Sequence, residues 1–555
     1  MRWHCRPEKL HWRPVKCRVQ PTGASRSCHK VRQRRKAGNP LATVAFWREP
    51  HKGVLWVNSG HCEPGKNGNL DTDLSVPPNS KNYSAGEITC QRDLENFFRL
   101  WVCGLPVLPA NQGYTVTLSM SPVSGSPAIN LYDSVETNGG IGYLTDTNIA
   151  FQQCLAYAHG SSPYNIYYTG PGAPIAKITP SSSFTFPASY FTNSENKYFL
   201  FEGACTNGSG ELLLTISQNG NAIAQTGVWL DLHDIKDFYE RAVITNIYNG
   251  AISNWSSTTE PLQNQITKIS DEDSNIIVFV HGINVDGWNW LDDSDTVFKR
   301  LYWAGYHGKF TSVKWPCHFL TPPDVWDLDV FNYSELNAYK ASYAMTAYLN
   351  QLRTRFPNYR LNILAHSQGN AVVSEAIKQG APFDTYILTQ GAMPASAYDV
   401  NAPTDPDLTG QETFKATPEW QPMGYHGAYT NLTGRIVNFY NPLDKVLGYW
   451  VSDQKYFKPA DTYFYDGTYG YQFLDPGYRL VTDSQESRAM ISRSRTLPFG
   501  QSGPASAHGV IQSAVNLNAQ YGFNGDTTDE HSAQWTRPIQ TSRPYYIQVL
   551  NSIKP

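Results

Sequence analysis

The chain has 555 residues, too many for one ordinary domain, and its 41% hydrophobic and 16% charged content permits sizeable cores. Formal charge is −3, but 12 of the 44 Lys/Arg and only one of the 47 acidic residues fall in residues 1–37, so the remainder is acidic. An acidic body argues against nucleic acid as a partner, and no run of 18 apolar residues exists to form a transmembrane helix.

Residues 1–42 interleave Arg, Trp, His and Cys without periodicity and without an apolar h-region. They predict a basic, disordered tail and are not a secretory signal. A signal peptide upstream of this start, and with it a secreted or periplasmic location, stays open.

From 43 to 230 the texture is β: short runs rich in Val, Ile, Tyr and Phe alternate with Gly, Ser, Asn and Pro clusters. Runs at 54–58, 114–120, 128–132, 164–168 and 197–202 read as strands. The clearest signal is 211–217 and 222–230 flanking Asn219-Gly220, a hairpin with a tight turn. Leu94, Phe97, Phe98 and Trp101 share one stripe at helical spacing and predict a helix there. A β-rich, sandwich-like accessory domain is expected. Five cysteines fall in it, Cys62, Cys90, Cys103, Cys154 and Cys205, and suit either disulfides or buried thiols. Residues 231–248 predict a linking helix within a 231–270 connector, and 253–265 a polar linker.

The region 271–555 changes texture. Asn275–Val280 is a short apolar run that leads straight into His281-Gly282-Ile283-Asn284. A long helix is predicted over 335–356, then a strand over 360–364, then Ala365-His366-Ser367-Gln368-Gly369 and a helix over 370–379. A serine at the apex of a strand–turn–helix, with small residues two before and two after, is a nucleophile elbow. The upstream His-Gly turn supplies backbone N–H groups suited to an oxyanion. An α/β fold is predicted here, a mostly parallel sheet with flanking helices.

In this fold the acid and then the histidine follow the serine. Asp444 lies just beyond the apolar run Arg435–Tyr440, at the sheet end where ligands bind. Asp384 precedes its own strand and is therefore at the wrong end. Two histidines follow Asp444: His508, and His531, which immediately precedes a Pro-interrupted helix predicted over 532–553. Position favours His531 as the base. Two insertions, 395–428 and 449–478, break the pattern, and the second holds 11 aromatics in 30 residues. It suits a substrate-lining cap or packing against the β-rich part.

The His281-Gly282-Ile283 and Ala365-His366-Ser367-Gln368-Gly369 motifs together resemble those of small bacterial lipases of the α/β-hydrolase superfamily. The tail Glu530-His531-Ser532 is similar to the end of uncharacterised bacterial α/β-hydrolase proteins. By that resemblance the amides of Ile283 and Gln368 form the oxyanion hole, and Ser367, His531 and Asp444 cleave a small-molecule or lipid ester. No cofactor or metal is expected: there is no H-E-x-x-H and no Cys-x-x-Cys pattern. Two alternatives stay open: cleavage of amide, thioester or lipid-headgroup bonds by the same residues, and a binding module on a relic hydrolase fold.

Overall fold

The structure, a computed structural model, describes residues 32–34, 54–57, 98–103, 105, 107–133, 174–193, 195, 197–204, 207–232, 238–244, 273–285, 287–317, 330–393, 432–444, 446–447, 511–523, 531–537 and 539–555. The expected strand at 164–168, the linker at 253–265, both insertions and His508 lie outside them. So do Cys62, Cys90, Cys154 and Cys205 and the side chain of Cys103.

The N-terminal half is β. Its strands are β1 (Arg32–Arg34), β2 (Val54–Val57), β3 (Phe98–Cys103), β4 (Tyr114–Gly125), β5 (Ile129–Asp133), β6 (Ala176–Ile178), β7 (Phe184–Thr185), β8 (Lys197–Gly203), β9 (Gly208–Gln218) and β10 (Asn221–Leu232). They form two antiparallel sheets, ordered β1-β10-β9-β4-β7 and β2-β3-β8-β5-β6. Along β9 the even-numbered residues from Gly210 to Ile216 are buried and their neighbours half-buried, the period-two pattern of a sheet with one face in a core. Leu118 and Leu214 from one sheet and Leu100, Ile129 and Phe201 from the other enter the same apolar cluster. Asn219 and Gly220 join β9 to β10 with φ of 50° and 80°. Positive φ at both central residues is what the hairpin's right-handed twist requires, and Asn-Gly adopts it at least cost.

One expectation fails in this half. The stripe at 94–101 is not a helix where the structure describes it, because β3 begins at Phe98 and pairs with both β2 and β8. Leu100 and Val102 are its buried members, two residues apart as on one face of a strand, a case of pairing overriding local pattern. Within the basic tail, Arg32–Arg34 pairs with Gly227, Thr226 and Gln225 at a sheet edge, and the rest of 1–42 lies outside the described residues. Edge pairing runs through backbone groups and needs no apolar signature.

Where the structure describes 231–248, strand also stands in place of the expected helix. β10 runs to Leu232, and β11 (Glu240–Val243) follows. Glu240, Ala242 and Ile244 are buried in alternation. The second half then runs β12 (Asn275–Val280), α1 (Gly287–Trp303), β13 (Lys309–Lys314), α2 (Val330–Arg355), β14 (Arg360–His366), α3 (Gly369–Lys378), β15 (Thr385–Thr389), β16 (Arg435–Tyr440), β17 (Ile511–Asn516), α4 (Leu517–Tyr521), α5 (Ala533–Thr536) and α6 (Ile539–Ile553).

The seven strands form one sheet, ordered β11-β13-β12-β14-β15-β16-β17, with every pairing parallel. Its central strands are buried on both faces, which is why they read as continuous apolar runs rather than alternating ones. Ile277 and Phe279 point into a cluster with Val297 and Leu301 of α1 and Tyr545 and Val549 of α6. Ile276, Val278 and Val280 point into the opposite cluster, with Met345 and Leu349 of α2 and Val372 and Ala376 of α3. The C-terminal helical stretch is broken at Arg537 and not at Pro544, which lies inside α6. Arg537 is extended (φ −77°, ψ 157°), the conformation that a following proline favours.

Candidate active site

After β12 the chain crosses to β13 on one side, then returns to β14 on the other. The crevice beyond the carboxyl ends of β12 and β14 is therefore a topological switch point, where open α/β sheets bind ligands. His281-Gly282-Ile283 leaves β12 there, and Ser367 leaves β14.

Ser367 is buried with φ of 50°, a left-handed conformation that costs a non-glycine residue about 1–2 kcal/mol. The turn is held by its backbone. Ser367 N–H donates to Thr389 O (3.2 Å), while Ser367 O accepts from Asn370 N–H (3.1 Å) and Ala392 N–H (3.1 Å). Asn370 Nδ2 adds donations to Ser367 O (2.9 Å) and Ala365 O (3.2 Å). Two glycines allow the elbow and the His-Gly turn to touch. A Cβ on Gly282 would meet Ser367 Cβ at 2.8 Å, and one on Gly369 would meet His281 O at 2.3 Å. That contact brings the segments bearing Ile283 and Gln368 to one place.

The turn beyond β12 is locked from behind by Trp315. Its indole N–H donates to His281 O (2.7 Å), its backbone N–H donates to His281 Nε2 (3.2 Å), and the two rings stack at 5.6 Å. His281 Nδ1–H then donates to Gly282 O (2.8 Å). Burial drives the His281 pKa down to about 3, with the Gly282 bond opposing and Lys314 reinforcing, so the ring is neutral and structural.

His531 and Asp444, 87 residues apart, meet in this crevice: His531 Nδ1–H donates to Asp444 Oδ2 at 2.6 Å. Both are buried, and His531 Nε2 has no hydrogen-bond partner among the described residues. Asp444 also accepts from Leu447 N–H on Oδ1 (3.1 Å) and from Gln390 Nε2 on Oδ2 (2.6 Å). Burial pushes the Asp444 pKa up, but His531 and these two donors outweigh it and hold the carboxyl below its ordinary value. Asp384, set aside on position, receives Arg353 (2.6 Å) and Leu361 N–H (2.7 Å) instead and ties helix to sheet.

Sequence reasoning missed Gln390. It is fully buried, follows β15 directly and has φ of 45°. A polar residue just past the carboxyl end of a central strand was the available signal. It also missed the engagement of His366, whose Nε2–H donates to the backbone carbonyl of His531 at 2.9 Å.

Residues 256–390 match the model of a family described as an alpha/beta hydrolase of unknown function. The parallel sheet with helices on both faces agrees with it. The second half of the chain has the α/β-hydrolase fold. The matched segment runs from before β12 to Gln390 and includes the His-Gly turn and the elbow, though not Asp444 or His531. Among solved structures it is similar to the esterase domain of a Rhodothermus marinus protein, at 12% identity over 48% of this chain and 84% of that one, with a TM-score of 0.22. It is also similar to a Pyrococcus horikoshii acylaminoacyl peptidase, at 11% identity over 61% of this chain and 47% of that one, TM-score 0.27. A Pyrococcus furiosus esterase is similar at 10% identity over 47% of this chain and 84% of that one, TM-score 0.19. At these scores the likenesses decide nothing about the bond cleaved. No curated protein matches the chain.

Proposed function

We propose that the protein is a serine hydrolase that cleaves carboxylic esters through an acyl-enzyme intermediate. The observation that carries this reading is the buried 2.6 Å contact between His531 and Asp444, which leaves His531 Nε2 without a partner beside a strained serine elbow. Ser367 Oγ attacks the acyl carbon as His531 Nε2 takes its proton. The tetrahedral oxyanion receives the amides of Ile283 and Gln368, each such donor contributing about 3 kcal/mol to the transition state. Collapse breaks the bond to the alkoxide, which leaves with the proton from Nε2. Water then repeats the sequence on the acyl-enzyme and regenerates Ser367. Asp444 holds the imidazole in the Nδ1–H tautomer and stabilises the imidazolium.

The test uses p-nitrophenyl esters of short and medium acyl chains and a fluorophosphonate probe. Wild type should label at Ser367 and hydrolyse esters, and Ser367→Ala should lose labelling and at least about 10⁴-fold of kcat. Hydrolysis that survives the substitution overturns the reading. A parallel panel of thioesters, amides and phospholipids ranks the bonds by kcat/KM, and a large preference for one of these moves the assignment to that class. A probe that never labels, with binding by the β-rich half, would favour a relic hydrolase.

A further inference from the structure

The residue before the nucleophile has no part in the chemistry above, yet it touches most of the site. His366 closes β14 and is buried. Its Nε2–H donates to the backbone carbonyl of His531 (2.9 Å), across 165 residues of sequence. Its ring centroid lies 4.6 Å from that of His531, tilted by 48°, and 4.6 Å from that of Trp535, edge to face at 79°. Trp535, in α5, is in turn edge to face with Phe279 of β12 at 5.7 Å. On the other side, Nδ1 of His366 lies 3.0 Å from the point a Cβ of Gly282 would occupy. One imidazole therefore spans the nucleophile strand, the His-Gly turn and the segment that carries His531.

Two anchors are needed to aim an imidazole. The bond from Nδ1 to Asp444 fixes how the His531 ring is turned, but it does not fix where the backbone of His531 stands relative to Ser367. The bond to the His531 carbonyl does. Since a carbonyl only accepts, His366 must be the Nε2–H tautomer. Burial keeps its pKa well below the ordinary imidazole value. Of the titratable groups facing it, His531 and His281 reinforce that direction, while Asp444 and the carbonyl bond oppose it. A neutral ring adds no second positive charge beside the imidazolium that forms on His531 during turnover.

We propose that His366 is a positioning residue that ties the backbone of His531 to the nucleophile elbow and so sets the distance across which Ser367 surrenders its proton. The proposal rests on Ser367 and His531 being nucleophile and base. It differs from a packing role in one respect: the hydrogen-bond donor at Nε2 matters, and the ring as such does not.

Three substitutions separate the two. His366→Gln keeps an amide N–H near the Nε2 position, His366→Asn places it too short to reach the His531 carbonyl, and His366→Leu fills the volume with no donor. Each full-length variant is measured for fluorophosphonate labelling rate, for kcat and KM on a p-nitrophenyl ester, and for its melting temperature. The expected result is a fall of about tenfold or more in kcat and labelling rate for Leu and Asn, the rate equivalent of one buried hydrogen bond, with KM little changed. Gln should recover most of it. Equal losses in Gln and Asn, or kcat within twofold of wild type in Asn, overturn the proposal. The Gln–Asn contrast decides the matter even if the Leu variant fails to fold. A wild type that does not label overturns the serine-hydrolase reading itself, an outcome distinct from any difference among the variants.

Discussion

Gln390 occupies a position that its backbone resists. A φ of 45° is unfavourable for a residue with a Cβ, and what the conformation secures is a 2.6 Å donation to Asp444 Oδ2, the same oxygen that receives His531. A hydrogen bond to a buried charge contributes about 1.5–3 kcal/mol. Gln390→Leu should accordingly lower kcat by roughly 10- to 100-fold while KM changes little. Steady-state kinetics on one ester checks this, and an unchanged kcat would remove Gln390 from the site. At this scale the sequence was uneven. Ser367 was legible because its elbow demands small neighbours at fixed spacing, and Asp444 because it follows a strand end. His531 was legible only by position, with His508 as rival. Gln390 and His366 act through contacts made after folding, across 54 and 165 residues, and no local pattern encodes such contacts.

At the scale of elements, β11 shows how a segment can be misread and what then holds it. Its stretch reads as helix by composition, but it joins the parallel sheet beside β13. Glu240, fully buried, is its anchor. Arg355 at the end of α2 grips both carboxylate oxygens, at 3.1 and 2.7 Å, and Tyr348 OH donates to Oε1 at 2.7 Å. Thr311 of β13 completes the chain by donating to Tyr348 (2.7 Å). The partner charge lies 115 residues away, so the sequence offered no reason to bury an acid there. Removing one member of a buried pair typically costs about 3–5 kcal/mol, because the other charge stays desolvated. Arg355→Met should therefore destabilise the protein by about that much in denaturant titration. Arg355→Met combined with Glu240→Gln should recover part of the loss. If the single substitution is neutral, the pair does not anchor β11. By contrast, β12, β14, β15 and β16 were legible as strands, since burial on both faces leaves an unbroken apolar run bounded by turns.

At the scale of the whole molecule, the sheet's stability and the site's geometry depend on the same neutral imidazoles. His281 locks the turn beyond β12, and His366 spans the elbow, the turn and α5. Both are buried, and burial holds both below the ordinary imidazole value, His281 at about 3. In the unfolded chain the same two rings titrate near about 6.5. Below that pH the unfolded state takes up protons that the folded state refuses, so stability must fall as pH drops from about 6.5 towards 3. Asp444, held below its ordinary range in the fold, adds to the loss below about pH 4, where the unfolded carboxylate protonates first. For two imidazoles the slope approaches about 3 kcal/mol per pH unit once the unfolded rings are fully protonated. Calorimetric melting temperatures at pH 7, 6, 5 and 4 should therefore decline with increasing steepness. His281→Gln, whatever its melting temperature at pH 7, should show a shallower decline because one of the two protons no longer counts. A melting temperature that stays flat from pH 6.5 to 4, or a His281→Gln slope equal to that of wild type, would mean that the buried turn admits the charge, and the lock formed by Trp315 would have to be weaker than its geometry requires.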